Sequence, residues 1–357
     1  MQKQLNSKKI HFIGICGKGM SALALMYKQS GWKVSGSDEG FYDPVASMLK
    51  KNKINFTPEY NPKNIPKDAD LIIIGKHAKL VPEENEEVNF AFNSSIKIKS
   101  LPEALGELAK KTENTVVAGS FGKSTVTALL SWCLEKSKKD PSYFIGAVPL
   151  GFKTNAKLGK GKNFIMEGDE YPSSNWDKNS KFLYLNPKNL ILISAEHDHI
   201  NVFPTEVDYI QPYSRLISLL PKNGTIVASY SGKNVSKLVK KAKCEVVTYG
   251  LNEKADYYTF NIAYGIKTSF DLMHQNKKIV KLETSMLGTH NIENIIAVSA
   301  MILEKKMLTV NELQKAIKSF NGLSGRIDLK TKKSTVLVYE GFGSSYSKAK
   351  SVFDALK

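Results

Sequence analysis

Several things are scarce in this chain, and each shortage removes a class of explanation. Three cysteines in 357 residues (Cys16, Cys133, Cys244) are too few and too scattered for a disulfide framework or a cysteine metal site. A reducing cytoplasm is the expected setting. No apolar run approaches the roughly 18–20 residues that a membrane span needs, so no membrane association is expected. The opening Met-Gln-Lys-Gln-Leu-Asn-Ser-Lys-Lys lacks the apolar stretch of a secretory leader. Arginine is nearly absent, only Arg215 and Arg326, although the net charge is +17. The lysines are spread along the chain. Their densest cluster (Lys237, Lys240, Lys241, Lys243) suits a solvated helix. Without aromatic–basic interleaving, nucleic acid is not an expected partner. The lysine excess is read as compositional bias and solubility, with some attraction for an anionic, phosphate-bearing substrate.

What is present is an ordinary globular composition, 42% hydrophobic and 24% charged, at a length that suits two or three domains. Short apolar runs alternate with helical patterns through the first 110 residues, as in a parallel sheet with crossover helices. Strands are expected at 10–14, 33–36, 71–75 and 96–98, with helices at 21–29 and 101–110. The polar stretch 111–114 marks a boundary, and a second α/β unit begins at Thr115. Its further strands are expected at 164–166, 190–193, 225–228 and 245–247, followed by an antiparallel meander over 256–287 and helices at 291–304 and 310–319. A strand at 336–339 and a helix at 347–356 open a third unit of about 30 residues, too short to bury its own core. The expected fold is α/β throughout. It comprises a Rossmann-like domain (1–112), a central P-loop-type domain with a small antiparallel sheet (113–328), and the start of a C-terminally truncated third α/β domain (329–357).

The most informative stretch is Val117-Ala118-Gly119-Ser120-Phe121-Gly122-Lys123-Ser124-Thr125. A strand runs into a glycine-bounded turn that opens a helix, the arrangement that cradles phosphate oxygens. Lys123 can reach a terminal phosphate and the Ser124 hydroxyl can hold Mg²⁺. The spacing departs from a common Walker A, because Val117 stands where its first glycine would be. A bare glycine–serine turn before a helix is the competing reading.

Four further clusters carry chemistry. Gly14-Ile15-Cys16-Gly17-Lys18-Gly19-Met20 follows the first strand, and Asp38 ends the second. This is either a phosphate-binding turn with a ribose-binding acid or a tight turn without ligand. Glu167, Asp169 and Glu170 close a strand, where one could take a hard cation or all could be solvated. Glu196-His197-Asp198-His199 suggests metal or proton chemistry. If the strand continues, its side chains alternate between faces and cannot all share a site. His290-Asn291-Ile292-Glu293-Asn294 opens a helix, with the two asparagines on one face; they either read an adenine edge or cap the helix.

In this order, these segments resemble the Mur ligase family of peptidoglycan synthesis. The matching stretches are 13–17, 36–38, 118–124, 167–171, 180–182, 196–199 and 290–294, spanning nearly the whole chain. The family's loop has the two-residue gap between glycines seen here. The resemblance implies an ADP-forming ligase in which ATP phosphorylates a carboxylate, an amine attacks the acyl phosphate and phosphate leaves. Lys123, Glu167 and His199 would be catalytic. Gly119, Ser120, Gly122, Lys123, Ser124 and Thr125 would hold ATP, with His290, Asn291 and Asn294 at the adenine and Arg326 at phosphate. Ser124 and Glu167 would hold Mg²⁺, and His199 would lie near a second Mg²⁺. Gly14, Gly17, Lys18, Gly19, Met20, Ser37, Asp38 and His77 would bind the UDP-sugar.

The implied partners are UDP-N-acetylmuramate and either the tripeptide L-alanyl-γ-D-glutamyl-meso-diaminopimelate or L-alanine, in peptidoglycan recycling or biosynthesis. Glu170-Tyr171, Ser180-Lys181-Phe182 and Glu196–His199 favour the tripeptide. Two departures stand out. Ser120 replaces the family's usual Thr, and 340–347 lacks the family's Asp-Asp-Phe-Ala-His-His-Pro-Thr-like pattern, leaving the ribose-binding Asp there uncertain. With most of a third domain missing, the chain is expected to turn over poorly. A nicotinamide oxidoreductase and a nucleotide-binding remnant without catalysis are the readings of other classes.

Overall fold

The computed structural model describes residues 7–353 apart from 44, 266, 325–327, 332–335, 337, 342–348 and 351–352. The chain forms two compact units. Residues up to 111, with 156–158 and 169–185, make the first; residues 112–155, 159–168 and 186 onward make the second.

In the first unit the order is β1 (Lys9–Ile13), α1 (Lys18–Gln29), β2 (Lys33–Ser37), α2 (Val45–Lys51), β3 (Asn55–Thr57), β4 (Leu71–Ile74), α3 (Glu86–Asn93), β5 (Ile98–Lys99) and α4 (Leu101–Leu108). The strands pair in parallel in the order β3-β2-β1-β4-β5. β4 is Leu-Ile-Ile-Ile with every residue buried, the unbroken apolar run expected of a strand covered on both faces. Strand order reverses between β1 and β4, and open α/β sheets bind ligands at the carboxyl ends beside such a reversal. The turns after β1 and β4, at Gly14 and Gly75, lie there. α2, α3 and β3 were not legible, being short and without a clean apolar stripe.

The second unit begins with β6 (Glu113–Ala118), α5 (Lys123–Lys136) and β7 (Ser142–Phe144); β8 (Ala156–Lys157) counts with the first unit. Then come β9 (Asn163–Gly168), β10 (Asn189–Leu192), α6 (Glu206–Ser218), β11 (Thr225–Ser229), α7 (Val235–Val239) and β12 (Glu245–Tyr249). β13 (Tyr257–Ala263), β14 (Thr268–His274), β15 (Lys277–Thr284), α8 (Thr289–Glu304) and α9 (Val310–Lys318) follow. β6 lies between β10 and β9, all parallel, and the parallel run extends through β11 and β12 on one side and β7 on the other. The antiparallel meander β13-β14-β15 does not stand apart. It joins the parallel sheet at the Tyr249–Tyr257 pair.

The core of this unit gathers Leu129, Leu130 and Cys133 of α5 with Ile292, Ile295 and Ile296 of α8 over Val117, Ile165, Ile191 and Val227 of the sheet. The run Ile-Ile-Ala-Val in α8 would suit a strand by propensity. Burial on nearly every face of the helix overrides that preference, at roughly 1.5–3 kcal/mol for each large side chain. Beyond α9, β16 (Asp328–Leu329) and β17 (Tyr339–Glu340) pair antiparallel. Arg326, most of 340–347 and most of the helix expected at 347–356 lie outside the described residues. Among the described residues no helix is long and apolar enough to cross a membrane.

Candidate active site

β6 delivers the chain into a four-residue loop, and α5 starts at Lys123 directly after it. Gly119 has φ +146°, and a Cβ there would lie 2.9 Å from the Ser194 backbone nitrogen. Gly122 caps α5 at φ +77°, where a Cβ would lie 3.0 Å from Asn294 Oδ1. Both positions need the left-handed freedom and the missing side chain of glycine. The Ser120 N–H donates to the Ser194 carbonyl at 3.2 Å, and Ser120 Oγ donates to the Glu196 carbonyl at 2.6 Å. The loop is thus tied to the strand end beyond β10. The first N–H groups of a helix lack intrahelical acceptors and carry the positive end of its dipole. The start of α5, reached through a loop with glycine at each end, is therefore a place where anionic oxygens are stabilised.

Glu167, on β9, pairs in register with Val117 of β6, and so stands beside the strand that leads into the loop. Ser124 Oγ donates to Glu167 Oε1 at 3.0 Å, and the Gly146 N–H donates to Oε2 at 2.7 Å. A hydroxyl and a carboxylate are hard oxygen donors that suit Mg²⁺, which keeps waters and takes its remaining ligands from phosphate. Among the described residues no group of three or more His, Cys, Asp or Glu side chains is gathered into a cage. Gly146 was not anticipated, because β7 before it was not read as a strand. A Cβ at Gly146 would sit 2.8 Å from both Glu167 oxygens. Gly146→Ala is accordingly expected to displace the carboxylate and raise the Mg²⁺ concentration needed for half-maximal turnover several-fold, with thermal stability nearly unchanged. A magnesium titration beside a melting curve checks this.

β10 ends at Leu192, so 195–199 is not strand, and the alternation that would have divided its side chains does not apply. The division arises otherwise. His197 Nε2 meets the Phe203 carbonyl at 2.7 Å. His199 takes a left-handed backbone at φ +59°, with Nε2 3.7 Å from Asp198 Oδ2. Of the three carboxylates at the end of β9 and just beyond it, only Glu167 belongs to the second unit; Asp169, ion-paired with Lys181 at 2.6 Å, and the buried Glu170 belong to the first. At the start of α8, Gly288 rather than an asparagine is the N-cap. Asn294 Nδ2 donates to Asn291 Oδ1 at 3.2 Å, and Asn291 Nδ2 donates to the Leu287 carbonyl at 2.7 Å. Both are buried, with Asn294 against the loop glycine. Burial lowers the pKa of the neighbouring His290 below the usual imidazole value, favouring its neutral form.

In the first unit, the Gly14 and Ile15 N–H groups donate to the Ser37 carbonyl at 2.9 and 3.1 Å, and the Cys16 N–H to Asp38 Oδ2 at 2.8 Å. Asp38 thus holds the turn, which aims the first residues of α1, Lys18 and Gly19, past the exposed Gly17. Desolvation, with the Asp38 charge beside it, pushes the Cys16 thiol up to about 12. Met20 is buried, and His77 is exposed on the loop after β4.

Ser37 is also buried and donates to Glu87, a residue the sequence did not single out. Glu87, fully buried on α3, accepts from Ser37 Oγ at 2.9 Å and the Asn61 N–H at 2.9 Å and pairs with His11 Nε2 at 2.7 Å. Glu87→Ala would orphan these groups at about 1–3 kcal/mol each. It is expected to destabilise the first unit by about 3 kcal/mol in urea unfolding; a loss below about 0.5 kcal/mol would contradict the network's role.

Residues 117–302 match the Mur ligase middle domain, and residues 9–113 match the Mur ligase family catalytic domain. The chain belongs to the Mur ligase family. The glycine-bounded loop, Glu167 and the start of α8 all lie within the matched middle domain. Mur ligases are ATP-dependent ligases that form amide bonds, so this chain is an enzyme of that class. It is 32% identical to a UDP-N-acetylmuramate–L-alanine ligase of Dictyoglomus turgidum, over 99% of this chain and 74% of that protein. It is 28% identical to a UDP-N-acetylmuramate–L-alanyl-gamma-D-glutamyl-meso-2,6-diaminoheptandioate ligase of Haemophilus influenzae, over 94% of this chain and 73% of that one. The crystal structure of the UDP-N-acetylmuramate:L-alanyl-gamma-D-glutamyl-meso-diaminopimelate ligase from Neisseria meningitides superposes with a TM-score of 0.79 at 26% identity. It covers 89% of this chain and 99% of that one.

Proposed function

We propose that this Mur ligase joins the lactyl carboxylate of UDP-N-acetylmuramate to the amine of L-alanyl-γ-D-glutamyl-meso-diaminopimelate, in the cytoplasmic recycling or biosynthesis of peptidoglycan. The observation that carries the ATP half of this reading is the glycine-bounded loop with Ser124 and Glu167 in contact beside it. Gly119, Ser120, Gly122 and Thr125 shape the cradle, and Lys123 neutralises the β- and γ-phosphates. Ser124 and Glu167 would hold Mg²⁺, with His199 toward a second ion; a metal held by these residues would supply neutralisation of phosphate charge. That group passes to the carboxylate, giving ADP and an acyl phosphate. The amine then attacks the acyl carbon, loses a proton, and phosphate leaves. Alignment and charge stabilisation account for the rate. The start of α8 (His290, Asn291, Asn294) serves the adenine. The Gly14–Met20 turn, Ser37, Asp38 and His77 serve the UDP-sugar.

The tripeptide is favoured by Glu170-Tyr171 and Ser180-Lys181-Phe182, where Lys181 grips Asp169 and the Phe182 N–H donates to the Asp169 carbonyl at 3.2 Å. L-Alanine is the second reading, supported by the 32% identity to the Dictyoglomus protein. A phosphate-release assay with ATP, UDP-N-acetylmuramate and each amine distinguishes them. Tripeptide-dependent release is expected, and release with L-alanine alone would transfer the assignment.

A further inference from the structure

We propose that Tyr209 is a positioning residue that ties the phosphate loop to the segment carrying His199. The importance of those two segments rests on the ligase reading, whereas the contacts that join them do not.

Tyr209 lies in the first turn of α6, whose start is fixed by a reciprocal cap between Thr205 and Asp208. It is fully buried, as is Tyr213 one turn later. The Tyr209 hydroxyl is 3.0 Å from Ser120 Oγ and 3.2 Å from the Tyr213 hydroxyl. The single proton of Ser120 goes to the Glu196 carbonyl. Tyr209 therefore donates to Ser120, and Tyr213 donates to Tyr209. The result is a directed chain from α6 through the phosphate loop to the backbone three residues before His199.

The ring of Tyr209 holds the same segment from its other side. It lies edge-on to Phe203, with centroids 5.3 Å apart, and tilted against His197 at 5.8 Å. His197 and Phe203 bracket 198–202 and are joined to each other by the His197 Nε2 contact. Within the bracket, the Val202 and Phe203 N–H groups donate to the His199 carbonyl at 2.8 and 2.9 Å. His199 keeps a left-handed backbone, a conformation that persists only where the surroundings over-determine it. One side chain thus fixes Ser120 by its hydroxyl and the His199 turn by its ring. A side chain that merely filled core volume would have no use for the two hydroxyl contacts.

The test is amide hydrogen exchange on the full, ligand-free chain, comparing the wild type with Tyr209→Phe and Tyr213→Phe. Binding of magnesium with a non-hydrolysable ATP analogue is measured by calorimetry alongside. Tyr209→Phe should speed exchange in 119–124 and 196–203 together by about tenfold, leave β10 and β11 protected, and weaken analogue binding several-fold. Tyr213→Phe should act in the same direction with a smaller effect. Unchanged exchange in both segments would overturn the proposal. So would uniform acceleration across the second unit with analogue affinity intact, since that marks a residue that only fills the core. A wild type that binds no analogue would instead count against the ligase reading, while the exchange result would still decide the tie.

Discussion

Lys123→Ala is expected to lower ATP-dependent turnover by at least about 10³-fold while leaving the affinity for UDP-N-acetylmuramate within about twofold of wild type. The asymmetry follows from where Lys123 stands. It is the first residue of α5, immediately after Gly122, in the second unit, whereas the turn assigned to the UDP-sugar is built entirely in the first. A single preorganised charge aimed at developing phosphoryl charge is worth about 10²–10³ in rate, and the loss is larger when ground-state nucleotide affinity falls with it. Removing the lysine strips the start of α5 of its positive charge but alters no glycine, so the left-handed backbone at Gly119 and Gly122 should survive. Steady-state phosphate release and calorimetric titration with the UDP-sugar measure the two halves. Turnover within tenfold of wild type would remove the loop from the chemistry.

Glu167→Gln should come next in size, with a drop of about 10²–10³ in turnover that added magnesium only partly restores. The substitution keeps the volume and an oxygen that can still accept from Ser124 or Gly146. It removes the charge that would draw a divalent cation to Ser124, and it introduces N–H groups that repel one. Stability should change little, because Glu167 is only part-buried and its neighbours retain a partner. A carboxamide variant with wild-type magnesium dependence would show that the Ser124–Glu167 contact is purely structural.

The fold was largely legible because its strands are written as unbroken apolar runs. Leu71–Ile74 and Leu190–Ile193 could be little else, and the observed strands match them within a residue or two. The glycine-bounded turn before α5 was legible for a related reason, since a turn that must cross left-handed backbone twice declares itself through glycine. The parts that escaped depend on contacts between residues far apart in sequence. Gly146 matters only because Glu167 comes to rest on it, and Tyr209 only because Ser120 lies above its hydroxyl. Glu87 lies in a stretch with no legible helix pattern, and only the fold buries it against His11. The local geometry of the His197–His199 cluster stayed open in the sequence, because it depended on whether the strand ran on; β10 stops at Leu192 and a turn takes over.

The most direct test follows oxygen. UDP-N-acetylmuramate labelled with ¹⁸O in its lactyl carboxylate is incubated with ATP, magnesium and the amine that supports turnover, and the released phosphate is analysed by mass. Transfer of the γ-phosphoryl group to that carboxylate predicts one ¹⁸O atom in each phosphate formed. Phosphate released in step with ADP but free of the label would mean that water, not the sugar-borne carboxylate, receives the phosphoryl group.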